Sequence, residues 1–229
     1  MAGMDALRPF SAVIFDMDGT LLDTETVFKQ VVWEVSRSLG FEMREEVHLS
    51  MVGTTYETTN HLLVEAYGVS FPTELFQAEC RRVMSGRMQA AVPVKRGARE
   101  MLEMLAAQDI PMAVATSSRT VAALGHLGTA GLLERFTTVV TRDDVTHPKP
   151  HPEPYLMAAG RLRVRPEACL AIEDSHTGVR AAHAAGMQTV MVPDLVPPSD
   201  EVRSLCAAVM GSLDEVRRAA LAQAPVRTR

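Results

Sequence analysis

Five short apolar runs, each closed by polar or turn residues, constrain this chain more than any other feature. Ala12–Phe15, Met112–Ala115, Thr138–Thr141, Cys169–Ile172 and Thr189–Val192 are too short for helices. Their near-continuous apolar character is that of strands buried on both faces. Ala207–Met210 is a weaker sixth run. Helical patterns separate them at Gly97–Gln108, Arg119–Leu127, Pro154–Leu162 and Thr177–Ala185, the last stopped by Gly186. Alternating strands and helices imply an α/β fold with a Rossmann-like parallel sheet and helices on both faces. In such folds chemistry gathers beyond the carboxyl ends of the strands.

One segment breaks the alternation. Residues 24–91 carry helical signals and no convincing strand. Phe28, Val31, Val32, Val35 and Leu39 share one helical stripe, and His61–Tyr67 and Leu75–Met84 supply further turns. Gly40, Gly53 and Gly68 punctuate the segment. The pattern predicts an all-helical cap domain, 24–91, inserted into a core formed by 1–23 and 92–229, with Pro93–Gly97 as the returning hinge.

Composition excludes more than it selects. The 229 residues are 47% apolar and 22% charged, ordinary for a soluble globular protein. A net charge of −5 gives no electrostatic case for nucleic acid or an anionic membrane. No apolar run approaches the ~20 residues of a membrane span, and Met1–Phe10 lacks the pattern of a secretory signal. The cytoplasm and a monomer are the expectations. Cys80, Cys169 and Cys206 have no metal-ligand spacing and read as reduced thiols.

Four segments place polar groups just after predicted strands: Asp16-Met17-Asp18-Gly19-Thr20, Thr116-Ser117-Ser118, Lys149 within His147-Pro148-Lys149-Pro150-His151-Pro152, and Glu173-Asp174-Ser175. In a parallel sheet all four open on the same side. Each alone has an ordinary structural reading. Asp18-Gly19 suits a turn, the acidic and hydroxyl clusters suit helix caps, and Lys149 suits a solvated loop. Together they suit phosphoryl transfer. Asp16 is the nucleophile, Asp18 the general acid/base, and Thr116, Ser117 and Lys149 hold the phosphate. Mg²⁺ takes hard oxygen ligands, which Asp16, Asp174 and the Asp18 carbonyl can supply, with Glu173 as a further or outer oxygen.

These segments, in this order, resemble the haloacid dehalogenase superfamily, specifically its Mg²⁺-dependent phosphatases with a helical cap after the first strand. Asp16-Met17-Asp18-Gly19-Thr20-Leu21-Leu22-Asp23-Thr24 matches the first motif and Ala115-Thr116-Ser117-Ser118 the second. Lys149-Pro150-His151-Pro152 matches the lysine motif and Glu173-Asp174-Ser175-His176-Thr177-Gly178 the acidic fourth. The resemblance implies hydrolysis of a small phosphorylated metabolite through an aspartyl-phosphate on Asp16. Asp18 argues for phosphate over carbon–halogen substrates.

The cap is expected to choose the ester. Its best candidate contacts are Gly53, Thr54 and Thr55, where glycine permits close approach and two hydroxyls suit a sugar. β-Phosphoglucomutase-like sugar-phosphate mutases are the runner-up. They carry a histidine soon after the first motif and a cap-loop arginine, where Phe28 and Thr55 stand here. Phosphoglycolate phosphatase is a further alternative. His176 reads as a residue of a helix N-terminus, Asp23 as a holder of the hinge turn, and Arg81, Arg82 and Arg87 as a solvated helix face.

Overall fold

The computed structural model describes residues 7–51, 54 and 56–222. The chain divides into two compact units, Met1–Asp23 with Val92–Arg229, and Thr24–Ala91.

The first unit is built on a six-stranded sheet: β1 (Ala12–Phe15), β2 (Met112–Ala115), β3 (Thr138–Val140), β4 (Cys169–Glu173), β5 (Gln188–Met191) and β6 (Ala208–Val209), in the spatial order β3-β2-β1-β4-β5-β6. Every pairing is parallel. Strand order reverses at β1, which has β2 on one side and β4 on the other. That makes its carboxyl end the expected position for a ligand crevice. Ala12, Ile14, Ala113, Ala115 and Val140 form one buried cluster with Tyr155, Ala158 and Ala159 of a helix at Glu153–Leu162 and with Ala181 and Ala182 of another at His176–Ala184. Alanines on these helices let them approach the sheet closely.

The second unit is helical, with α1 (Thr24–Ser38), α2 (Glu45–Met51), α3 (Tyr56–Tyr67) and α4 (Thr73–Ala90). The first unit adds α5 (Ala98–Ala107), α6 (Thr120–Thr129), α7 (Glu153–Leu162), α8 (His176–Ala184), α9 (Asp200–Leu205) and α10 (Leu213–Leu221). Val31, Val32 and Val35 of α1 are buried, but Phe28 is 40% exposed and Val27 takes its place on the buried stripe. The helix α4 extends beyond Leu75–Met84 at both ends, and the short α2 carries too few apolar residues to announce itself.

Where the chain returns, Leu22 and Val94 form an antiparallel bridge. The Asp23 N–H donates to the Pro93 carbonyl at 2.9 Å, and the Lys95 N–H to the Leu21 carbonyl at 2.9 Å. Pro93–Gly97 is thus laced to Leu21–Asp23 at the end of the first motif.

Ile14→Ala, at a position with no solvent exposure, should cost about 2–5 kcal/mol through lost burial and a residual cavity. Val121→Ala, at a position 88% exposed on α6, should stay within about 0.5 kcal/mol. Denaturant titration of both variants checks the contrast.

Candidate active site

Register brings the first and fourth motifs together. Phe15 pairs with Ile172, and the Asp16 N–H donates to the Ile172 carbonyl at 2.9 Å, so Asp16 and Glu173 follow side by side on neighbouring strands. The ammonium of Lys149, 4% exposed, lies between them, 2.6 Å from Asp16 Oδ1 and 2.5 Å from Glu173 Oε1. It also sits 5.1 Å from the centre of the Tyr155 ring. Lys149 is therefore no solvated loop residue. Burial works against its charge, but the two carboxylates prevail and hold its pKa above the ordinary lysine value.

Glu173 is fully buried and fully engaged. The Tyr155 hydroxyl donates to Oε1 at 2.7 Å, while the Ser175 hydroxyl (2.9 Å) and the N–H groups of Asp174 and Ser175 (both 3.2 Å) donate to Oε2. The Ser175 hydroxyl also accepts from the Gly178 N–H and caps α8, so the capping reading of this motif holds. Asp174 is served differently. Its Oδ1 lies 3.4 Å from the Thr20 hydroxyl, and among the described residues no basic side chain forms an ion pair with it.

The second motif reaches the first through Ser118. Its hydroxyl donates to Asp18 Oδ2 at 2.7 Å, and its N–H donates to Thr116 Oγ1 at 3.0 Å. The Thr116 N–H is taken by the Val140 carbonyl at 2.9 Å. That amide is already bonded, so a phosphate contact by this motif falls to the Thr116 hydroxyl and the groups of exposed Ser117.

Sequence reasoning missed Ser118 as the partner of Asp18, and it missed Tyr155. It also missed Asp194, whose Oδ1 accepts from Lys95 Nζ at 2.6 Å while its buried Oδ2 has no hydrogen-bond partner among the described residues. Lys95 Nζ also lies 3.5 Å from Asp23, so the hinge reading of Asp23 acquires a specific partner. The one sequence signal of this corner is Gly19, whose φ in the structure is +85°. A Cβ there would lie 2.3 Å from Asp174 Oδ2 and 3.3 Å from Asp194 Oδ2. His176 stands aside, with Nε2 3.0 Å from the Pro197 carbonyl oxygen. Arg82 pairs with Glu79 on an exposed helix face, whereas half-buried Arg87 of α4 reaches Glu34 of α1 and is no simple solvated residue.

The donor set fits a hard divalent cation. Oxygens of Asp16, Glu173 and Asp174 lie within 4.8 Å of one another. Burial pushes the Asp16 carboxyl well above the ordinary range, and repulsion from Glu173 and Asp18 adds to this against the opposing field of Lys149. Asp174 is raised by burial, then by Asp16 and Glu173 and further by Asp194, against the opposing field of Lys149. An all-oxygen cluster with surplus negative charge matches Mg²⁺ preferences.

In the helical unit, Thr54 lines a cavity of about 340 Å³ with Phe28, Val32, His48, Tyr56 and Gln77. His48 is 2% exposed, and its two ring nitrogens have no partner among the described residues. Burial lowers its pKa and keeps the imidazole neutral. The Gly53 and Thr55 expectations lie outside the described residues.

Residues 13–192 match the model of the haloacid dehalogenase-like hydrolase family, and the chain belongs to that family. It is 34% identical over 179 residues to a phosphorylated carbohydrates phosphatase of Thermotoga maritima, covering 78% of this chain and 83% of the relative. It is 35% identical over 223 residues to a probable pseudouridine-5'-phosphatase of Drosophila melanogaster, covering 92% and 93%. A haloacid dehalogenase-family hydrolase from Deinococcus radiodurans, solved with bound phosphate and sodium, superposes with a TM-score of 0.83 at 31% identity over 95% of this chain and 97% of that one.

The raised carboxyls carry a sign. A folded-state pKa above the unfolded value makes the contribution of these two carboxyls to the metal-free fold greatest below about pH 4, and that contribution is lost as pH rises through the raised values. A divalent cation favours the ionised form. Mg²⁺ should therefore raise the thermal midpoint more at about pH 8 than at about pH 5. Equal shifts in melting curves at the two values would remove these carboxylates from the metal site.

Proposed function

We propose that this chain is a Mg²⁺-dependent phosphatase that hydrolyses a small phosphate monoester of the sugar-phosphate class through an aspartyl-phosphate on Asp16. The observation that carries the reading is the buried Asp16 carboxylate, anchored on Lys149 through one oxygen, with the Asp18 carboxylate two residues on and bound to Ser118. The phosphatase names of the relatives and the phosphate held by the fold neighbour support it.

In this reading Lys149 fixes Oδ1 of Asp16, and the other carboxylate oxygen attacks phosphorus. The ester P–O bond breaks, and the leaving oxygen takes a proton from Asp18. Asp18, now ionised, takes a proton from a water that attacks the aspartyl-phosphate. Phosphate departs and Asp16 is restored. Thr116 and Ser117 donate to the phosphoryl oxygens, where charge accumulates in a loose transition state. Asp16, Asp174 and the Asp18 carbonyl would hold Mg²⁺, which supplies charge neutralisation to the phosphoryl group. Glu173, with both oxygens engaged, is assigned to positioning Lys149 rather than to the inner metal shell.

The helical unit is assigned to recognition of the leaving alcohol, supported by the mixed polar and aromatic lining of its cavity. Phe28, where mutases carry a histidine, favours hydrolysis over phosphoryl return to a sugar. No helix among the described residues is long and apolar enough to cross a membrane. Burial raises the thiol of Cys80 to about 12 and that of Cys169 to about 11, values of inert free cysteines that suit a reducing cytoplasm.

Phosphate release from an ester panel with Mg²⁺ tests the assignment. Asp16→Asn should lower kcat by several orders of magnitude while keeping the fold. Asp18→Asn should lower kcat by about 10²–10⁴-fold. Asp174→Ala should raise the Mg²⁺ concentration needed for half-maximal activity. Turnover near wild type in Asp16→Asn reassigns the nucleophile, and unchanged metal dependence in Asp174→Ala removes that ligand.

A further inference from the structure

We propose a second, chemically distinct metal site on the loop that presents Lys149, formed by His147, His151 and Glu153 and suited to a borderline divalent cation such as Zn²⁺. The candidate ligand atoms of these three residues lie within 4.8 Å of one another. His147 Nδ1 is 2.9 Å and His151 Nδ1 4.0 Å from the same Glu153 oxygen, Oε2. The two imidazole rings lie 4.6 Å apart, tilted by 36°. Their side chains are 63% and 50% exposed, so a cation can reach them from solvent.

The carboxylate at the centre is fixed before any metal arrives. The Thr146 N–H donates to Glu153 Oε1 and the His147 N–H to Oε2, each at 2.9 Å. Those two backbone bonds hold the carboxylate in place on the loop, facing both imidazoles. Tetrahedral Zn²⁺ with bonds of about 2.0–2.1 Å sets its ligand atoms about 3.3 Å apart. The observed separations bracket that value, and modest rotation of two exposed imidazoles brings them to it. His151 Nδ1 also accepts the Glu153 N–H at 3.2 Å. Metal binding exchanges this long bond and leaves the N–H at the exposed start of α7.

Ligand type separates this site from the acidic one. Two imidazole nitrogens and one oxygen select Zn²⁺ over Mg²⁺, whereas the cluster around Asp174 offers oxygen alone. Three protein ligands leave a fourth position for water. The chelate spans His147 to Glu153 and so braces the segment that carries Lys149 between its two carboxylates.

Zn²⁺ titration of the untagged full chain, followed by calorimetry in excess Mg²⁺, tests the site without reference to turnover. The expected result is one Zn²⁺ per chain, with affinity weakened more than about tenfold in His147→Ala and in His151→Ala. Co²⁺ in place of Zn²⁺ should give tetrahedral visible bands in the wild type that both variants lose. Metal-free melting curves matching wild type confirm that the variants fold. The inference is overturned if the wild type binds no Zn²⁺ under excess Mg²⁺, or if both variants bind it with wild-type affinity. These outcomes leave the assignment of Asp16 and Asp174 unaffected.

Discussion

The buried ammonium of Lys149, held between Asp16 and Glu173, is the interaction on which the rest of the site depends. Two carboxylates side by side at the ends of adjacent buried strands repel each other in a medium that screens poorly. A buried ion pair is not in itself a source of stability, because removing the charges from water costs several kcal/mol per ion. Here every remaining valence on the Glu173 side is satisfied by Tyr155, Ser175 and two backbone amides. The pair fixes the position of Asp16, and its worth lies in geometry. Without the lysine, two buried anions would remain, and burial would drive them towards the protonated form.

The parallel sheet makes this arrangement possible because consecutive strands deliver their terminal polar residues to one edge. Space for them is made by glycine. At Gly178 a Cβ would lie 1.8 Å from Glu173 Oε1, and at Gly19 it would strike Asp174. Gly19 also needs its positive φ to turn the chain after Asp18. The glycines of the first and fourth motifs are therefore packing requirements of the carboxylates beside them, besides being turn formers.

Much of this architecture was legible in the sequence, because strands buried on both faces write themselves as apolar runs. Ala12–Phe15 and Met112–Ala115 stand as read. The differences have local causes. β3 stops at Val140 because Thr141 turns to cap the next turn with Asp144. β5 begins at Gln188, a polar residue buried through its bonds to the backbone of Arg8. α8 starts one residue early, at His176, where Ser175 caps it. Site residues carried by motif spacing were visible, whereas Ser118, Tyr155, Lys95 and Asp194 were not. Their roles arise from tertiary approach, such as the 2.7 Å bond between the hydroxyl of Ser118 and Asp18, a hundred residues away. No local pattern encodes such a meeting.

Adjacent acids illustrate how burial divides labour that the sequence leaves ambiguous. Glu173 and Asp174 are equivalent as letters in a metal motif. Glu173, the last residue of β4, points among donors that occupy both its oxygens. Asp174 has left the strand and meets one hydroxyl and the fields of three other carboxylates. Desolvation without compensating donors makes its charge costly, and a divalent cation is the partner that reverses that cost. Satisfaction of hydrogen bonds therefore separates the two roles. The satisfied acid holds the lysine, and in the proposed mechanism the unsatisfied one is a metal ligand.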